Sequence, residues 1–94
     1  MVYVVLDYKV ADYAKWKPVF DGYGATRKKA GSMGGKLFQH SDDKNHICIL
    51  FEWDTKENAT KFFASEETIK TQKGAGVVGK PMIVYADKIE DFKV

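Results

Sequence analysis

The strand candidates of this chain are apolar on both faces. Four segments read as strands: Val2–Lys9, Gly35–Ser41, His46–Trp53 and Met82–Ile89. A sheet with helices on one face and water on the other alternates apolar with polar residues. Val2-Tyr3-Val4-Val5-Leu6 and Ile47-Cys48-Ile49-Leu50-Phe51 run without that alternation. The rest of the chain offers two helical regions, enough to cover one face. The other face needs a cover from outside, and the same sheet in a second copy would supply it. The expected assembly is a homodimer with a closed interior.

Length and charge narrow the function classes. Ninety-four residues make one domain, 1–94, and a chain this short gains stability by pairing. Fifteen basic and 13 acidic residues leave a net charge of +2, too even to point to a nucleic-acid partner. The single cysteine, Cys48, lies in a strand, so neither an internal disulfide nor a cysteine-rich zinc site is available. The start, Met1 to Asp7, lacks the basic stretch and small-residue cleavage site of a secretion signal. No apolar run approaches the roughly 18 residues of a membrane span. The expectation is a cytoplasmic, reducing location with no membrane partner.

Helical periodicity starts after Asp12, a residue suited to cap a helix by accepting backbone N–H groups. Tyr13, Trp16, Phe20, Tyr23 and Arg27 then follow steps of three and four along one face. Pro18 falls inside this stretch and removes a backbone donor, which predicts a kink or break there. Gly31 is the expected C-cap, behind the basic cluster Arg27-Lys28-Lys29. The turn cluster Asp42-Asp43-Lys44-Asn45 makes strands two and three a hairpin. With Ser41 opposite His46, Lys36, Phe38 and His40 share the helix-covered face with Ile47, Ile49, Phe51 and Trp53. Leu37, Gln39 and Ser41 then share the partner-facing side with His46, Cys48, Leu50 and Glu52. A slip of one residue swaps these assignments. Asp54 and Glu57 form a variant capping box for the second helical region, whose stripe is Ala59, Phe62 and Phe63. A short helix restarts at Ser65-Glu66-Glu67, and Gly74–Pro81 reads as a loop.

The resulting order, β-α-β-β-α-β, is ferredoxin-like with an antiparallel sheet, an α+β fold. With its two-faced strands the chain resembles the dimeric α+β barrels, and more narrowly the antibiotic-biosynthesis monooxygenases. The resemblance covers nearly the whole chain. It is carried by Asp12-Tyr13-Ala14-Lys15-Trp16-Lys17 opening the first helix and by Leu50-Phe51-Glu52-Trp53-Asp54 running into the second. It implies a ligand cavity between the helices and the sheet of each subunit. It also implies an activity in which an electron-rich phenol or hydroquinone is deprotonated and reacts directly with oxygen, without a cofactor. One branch of that family degrades haem with an iron-ligating helical histidine. Neither helical region here contains a histidine, which argues against haem.

Candidate site residues follow from that cavity. Trp16, Phe20, Phe38, Phe51 and Trp53 are the expected substrate-binding walls, supplying stacking area for an aromatic molecule. The same residues would equally make an ordinary core. His40 is the candidate base and Tyr23 the candidate polar handle. Other patterns carry less. Gly74-Ala-Gly76-Val-Val-Gly79 matches G-x-G-x-x-G, but a helix precedes it and a strand follows, the reverse of a dinucleotide site. Gly31-Ser-Met-Gly-Gly-Lys36 lacks phosphate-loop spacing. His40, Asp42, Asp43 and His46 suggest a metal cluster, yet the assumed register puts the two histidines on opposite faces, so no metal is expected. Glu52, facing the partner, would need a cation. RNA-recognition motifs share the element order, but His46–Trp53 lacks their glycine and basic start. Two readings stand: a cofactor-independent oxygenase-like enzyme, and a non-enzymatic ligand-binding or structural dimer.

Overall fold

The computed structural model describes residues 1–94. Its elements are β1 (Val2–Val10), α1 (Tyr13–Gly22), α2 (Gly24–Ala30), β2 (Ser32–His40), β3 (Asp43–Trp53), α3 (Lys56–Ala64), α4 (Glu66–Gly74) and β4 (Val77–Ala86). The strands form one antiparallel sheet in the order β2-β3-β1-β4. This is the ferredoxin-like arrangement, with each helical region divided in two.

The core lies between the helices and one face of the sheet. Along β1, Val2, Val4, Leu6, Tyr8 and Val10 are buried while the residues between them are not. Ile47, Ile49, Phe51 and Trp53 of β3 share that face, and Trp16, Ala59 and Phe62 come down on it from the helices. Burial of each large apolar side chain stabilises the fold by roughly 1.5–3 kcal/mol, so this face carries most of the stability. No element of the chain covers the opposite face. Phe38, Met82 and Val84 lie there, 51%, 54% and 45% exposed, beside half-buried Val5, Cys48 and Leu50.

The helix ends follow local chemistry. Asp12 caps α1, its Oδ1 accepting the Ala14 N–H at 3.0 Å. Pro18 does not break α1. Ala14 and Pro18 are both exposed, so water can satisfy the carbonyl that the proline leaves without a donor. The interruption comes instead at Tyr23, between Gly22 and Gly24, where helix propensity is poorest. Gly31 ends α2 with φ at 116°, a conformation that favours glycine, and a side chain there would run into the Asp54 carboxylate. The cap of α3 is Thr55 rather than Asp54: Thr55 accepts the Asn58 N–H, while Asp54 binds the Asn58 amide. The expected helix restart at Ser65 is α4, which Ser65 caps by accepting the Thr68 N–H.

Two strand expectations are corrected. First, Leu37 pairs with Ile49 and Gln39 with Ile47, one residue away from the assumed hairpin register. The turn is tighter than the polar cluster suggests: only Ser41 and Asp42 separate the strands, and the pairing then shifts between Gln39 and His40. Leu37 and Gln39 therefore share the helix-covered face, and Lys36, Phe38 and His40 move to the open one. Gly35, opposite Phe51, admits no side chain, because its Cβ would collide with the Leu50 carbonyl. Second, β4 begins at Val77 and ends at Ala86, so much of the expected loop is strand and Ile89 lies beyond it. Its pairing with β1 slips between Asp7 and Lys9, around Gly79 (φ 73°) and Pro81. A proline is tolerated there because β4 is an edge strand.

Candidate functional site

The helix-covered layer encloses a small cavity bounded by β1, β3 and all four helices. Leu6, Tyr8, Trp16, Phe20, Phe51 and Phe63 form its apolar walls. Trp16 stacks on Phe20 with centroids 4.9 Å apart, and Tyr8 meets Trp16 edge-on. The free volume is about 40 Å³. That is room for water, not for an aromatic ring, since a site of about 150 Å³ is what admits benzene. A wider cleft of about 550 Å³ opens beside it, between α4 and β4. Leu6, Phe63 and Gln72 line both spaces, so they are the partition between them.

The cavity also has polar groups, Arg27 among them. Its guanidinium lies 4.0 Å over the Phe20 ring, and its Nη1 donates to the Phe20 carbonyl at 2.8 Å. No carboxylate pairs with it. Burial lowers its pKa, opposed by the nearness of Tyr8 and Asp21. Burial likewise pushes the Tyr8 hydroxyl up to about 12, partly offset by Trp16 and the Arg27 charge. Tyr23 Oη lies 3.4 Å from Thr68 Oγ1 at the wall toward α4, where Gln72 follows Thr68 one turn on. Such an arrangement places a desolvated cation and several hydroxyls at the edge of an aromatic chamber. It can pair with an anionic oxygen, although the space as it stands holds no ring.

The expected site residues divide between the two faces. Trp16, Phe20, Tyr23 and Phe51 line the cavity together. Trp53 does not. It is fully buried behind Phe51, ring centroids 5.8 Å apart, and its Nε1 donates to the Ala30 carbonyl at 3.0 Å. Phe38 and His40 are on the open face, carried there by the one-residue register difference, so His40 cannot serve as a base in this cavity. The residues that sequence reasoning missed are Tyr8, Arg27, Thr68 and Gln72. Tyr8 continues the Val2, Val4, Leu6 alternation. Arg27 ends the Tyr13-to-Arg27 stripe, where it read as a charge for the helix terminus.

On the open face, His40 and His46 stack ring on ring, centroids 3.4 Å apart and planes 8° from parallel. Their Nε2 atoms reach the two oxygens of Asp7, at 2.9 Å and 2.5 Å respectively. Burial would raise the Asp7 pKa, but the hydrogen bonds and charges of the two histidines outweigh it and hold the carboxyl below its usual range. Burial, with the Asp7 charge adding to it, pushes the Cys48 thiol up, away from a reactive thiolate. Glu52 has a partner within its own chain: it accepts the Tyr3 hydroxyl at 3.1 Å. The G-x-G-x-x-G segment leads from the end of α4 into β4, as its order predicts. No helix is long and apolar enough to cross a membrane.

Neither a protein-family model nor a curated protein matches the sequence. Solved structures do match the fold. A candidate antibiotic biosynthesis monooxygenase from Bordetella bronchiseptica superposes with a TM-score of 0.78 at 16% identity, over 95% of this chain and 97% of that one. A candidate of the same kind from Caulobacter crescentus gives 0.72 at 21% identity, over 95% and 90%. SnoaB, a cofactor-independent oxygenase from Streptomyces nogalater, gives 0.70 at 16% identity, over 94% of both chains. Nearly end to end, the protein has the ferredoxin-like α+β fold of the antibiotic biosynthesis monooxygenase structures.

Proposed function

We propose that the protein is a small-molecule pocket protein that takes a phenolic or quinol-type compound between its helices and its sheet, and that it acts on it as a cofactor-independent oxygenase. The observation that carries this is Arg27, a half-buried guanidinium with no carboxylate partner, set against an aromatic cavity beside Tyr8. Displacing Phe63 and Gln72 joins the small cavity to the cleft between α4 and β4 and makes room for a ring. Trp16, Phe20 and Phe51 then supply stacking area. Arg27 holds the ionised oxygen, and Tyr23 with Thr68 orients a second polar group. The Arg27 charge favours the ionised phenol, whose proton is lost to water on binding, and the phenolate is the electron-rich form that can give an electron to oxygen.

The open face supports the reading of a homodimer. Phe38 on one edge strand and Met82 and Val84 on the other are exposed on that face, and the tail past β4 leaves Ile89 and Phe92 95% and 83% exposed. A second copy would cover both.

A non-enzymatic binding role is the second reading, favoured by one feature: the cavity is lined by no histidine or carboxylate that could take a proton. The test is a titration of the protein's tryptophan fluorescence with substituted phenols, alongside oxygen consumption. The expected result is saturable binding of ionised phenols that Arg27→Met weakens at least about tenfold, as loss of a buried charged hydrogen bond should. Binding without oxygen uptake selects the second reading. Binding that ignores Arg27→Met would remove the pocket from both.

A further inference from the structure

We propose that Asp7, His40 and His46 form a binding site for a divalent transition-metal ion of the zinc class on the open face of the sheet. The site is separate from the aromatic cavity and does not depend on its ligand.

Geometry is the first argument. One carboxylate oxygen and one nitrogen from each histidine all lie within 4.8 Å of one another. The three residues come from β1, β2 and β3, adjacent strands of one hydrogen-bonded sheet. A rigid scaffold of this kind fixes donor positions better than a loop does. Both imidazoles present Nε2 to the same carboxylate, and neither Nδ1 has a protein partner. The rings are parallel, so both nitrogens close on one ion only when the imidazoles rotate out of their stack. The open face leaves room for that: the side chains of His40, His46 and Asp7 are 39%, 25% and 23% exposed.

Donor chemistry is the second argument. Two imidazole nitrogens with one carboxylate oxygen suit zinc and its neighbours, whereas calcium and magnesium prefer all-oxygen shells. Three protein donors leave at least one position for water or an outside ligand. The neighbouring charges do not compete for the site. Lys9, on the same face, lies 4.0 Å from Asp43. Cys48, directly opposite Asp7 across β1 and β3, is outside the donor cluster.

The test is calorimetric titration of the untagged, chelator-stripped chain with Zn²⁺, with Mg²⁺ as the contrast. One Zn²⁺ per chain at low-micromolar affinity is expected, with no Mg²⁺ binding. His40→Gln and His46→Gln should each weaken binding at least about tenfold, and Cys48→Ser should leave it unchanged. If a histidine variant loses its folded circular dichroism, Asp7→Asn takes its place with the same expected loss. The Co²⁺-loaded chain should absorb in the visible without a thiolate charge-transfer band. Absence of saturable Zn²⁺ binding, retention in the His40→Gln/His46→Gln double variant, or a thiolate band would each overturn the site and leave a metal-free hydrogen-bonded cluster.

Discussion

The two faces of the sheet look alike in sequence and differ in what they do. On β3 the covered residues Ile47, Ile49, Phe51 and Trp53 are at most 4% exposed, while their neighbours Cys48, Leu50 and Glu52 are half-buried with no helix above them. At the centre of the covered face the aromatic rings leave a cavity of only about 40 Å³, with a wider cleft beside it between α4 and β4. Arg27 is the one charged residue lining that cavity. The open face mixes an apolar centre with polar groups that satisfy each other: Tyr3 with Glu52, and His40 and His46 with Asp7. A surface of this kind can meet another protein without leaving orphaned polar atoms. One face of the sheet thus carries the core, and the other stays open, which fits the proposed second copy.

The sharpest way to break this contrast is to put a charge on each face in turn. Val4→Asp buries a carboxylate at a fully buried position and should cost more than about 4 kcal/mol, enough to prevent folding. Val5→Asp, one residue on and facing the open side, should leave each chain folded, losing only the stability that pairing adds, and abolish self-association. Circular dichroism and sedimentation read both effects. If the two variants are equally unstable, the faces are not distinct in one chain.

Truncation of aromatic side chains comes next. Trp53→Ala removes a fully buried ring and should cost about 3–5 kcal/mol in urea unfolding. Phe38→Ala, on the open face, should cost less than about 1 kcal/mol. Reversal of that order would move the core to the wrong side.

A smaller effect is tied to pH. Burial holds the Tyr8 hydroxyl neutral up to about 12, whereas an unfolded tyrosine ionises near 10. Because the folded pKa is the raised one, its contribution is fully present below pH 10 and is lost as pH climbs from 10 to 12. About 2–3 kcal/mol of stability should disappear over that window. Tyr8→Phe should flatten it, and an unchanged slope would mean Tyr8 is wetter than its surroundings suggest. The smallest effect is local: Asp12→Ala removes the α1 cap and should cost about 1 kcal/mol, acting only on the covered layer.

Much of this architecture was legible in the residues. The element order, the Asp12 cap, the helix restart at Ser65, the left-handed Gly31 and the packed stripe of Trp16, Phe20 and Tyr23 all follow from spacing and side-chain chemistry. The first failures came where one residue decides a face. Asp42, Asp43, Lys44 and Asn45 read as one turn, but the chain reverses at Ser41 and Asp42, and that slip carries Phe38 and His40 away from the cavity. The same slip brings His40 onto His46, which no local pattern announces, because Asp7 joins them from a strand 33 residues away from His40. Arg27 was visible as a charge but not as a cavity residue. The helix break that precedes it falls at Tyr23, between Gly22 and Gly24, and not at Pro18.

The central claim is that one face of this sheet folds the chain and the other meets a second copy. Native mass spectrometry of gently purified protein tests it most directly. The account expects a dimer at micromolar concentration that reverts to monomer on Val5→Asp while each chain stays folded. A well-folded monomer across that concentration range would contradict it.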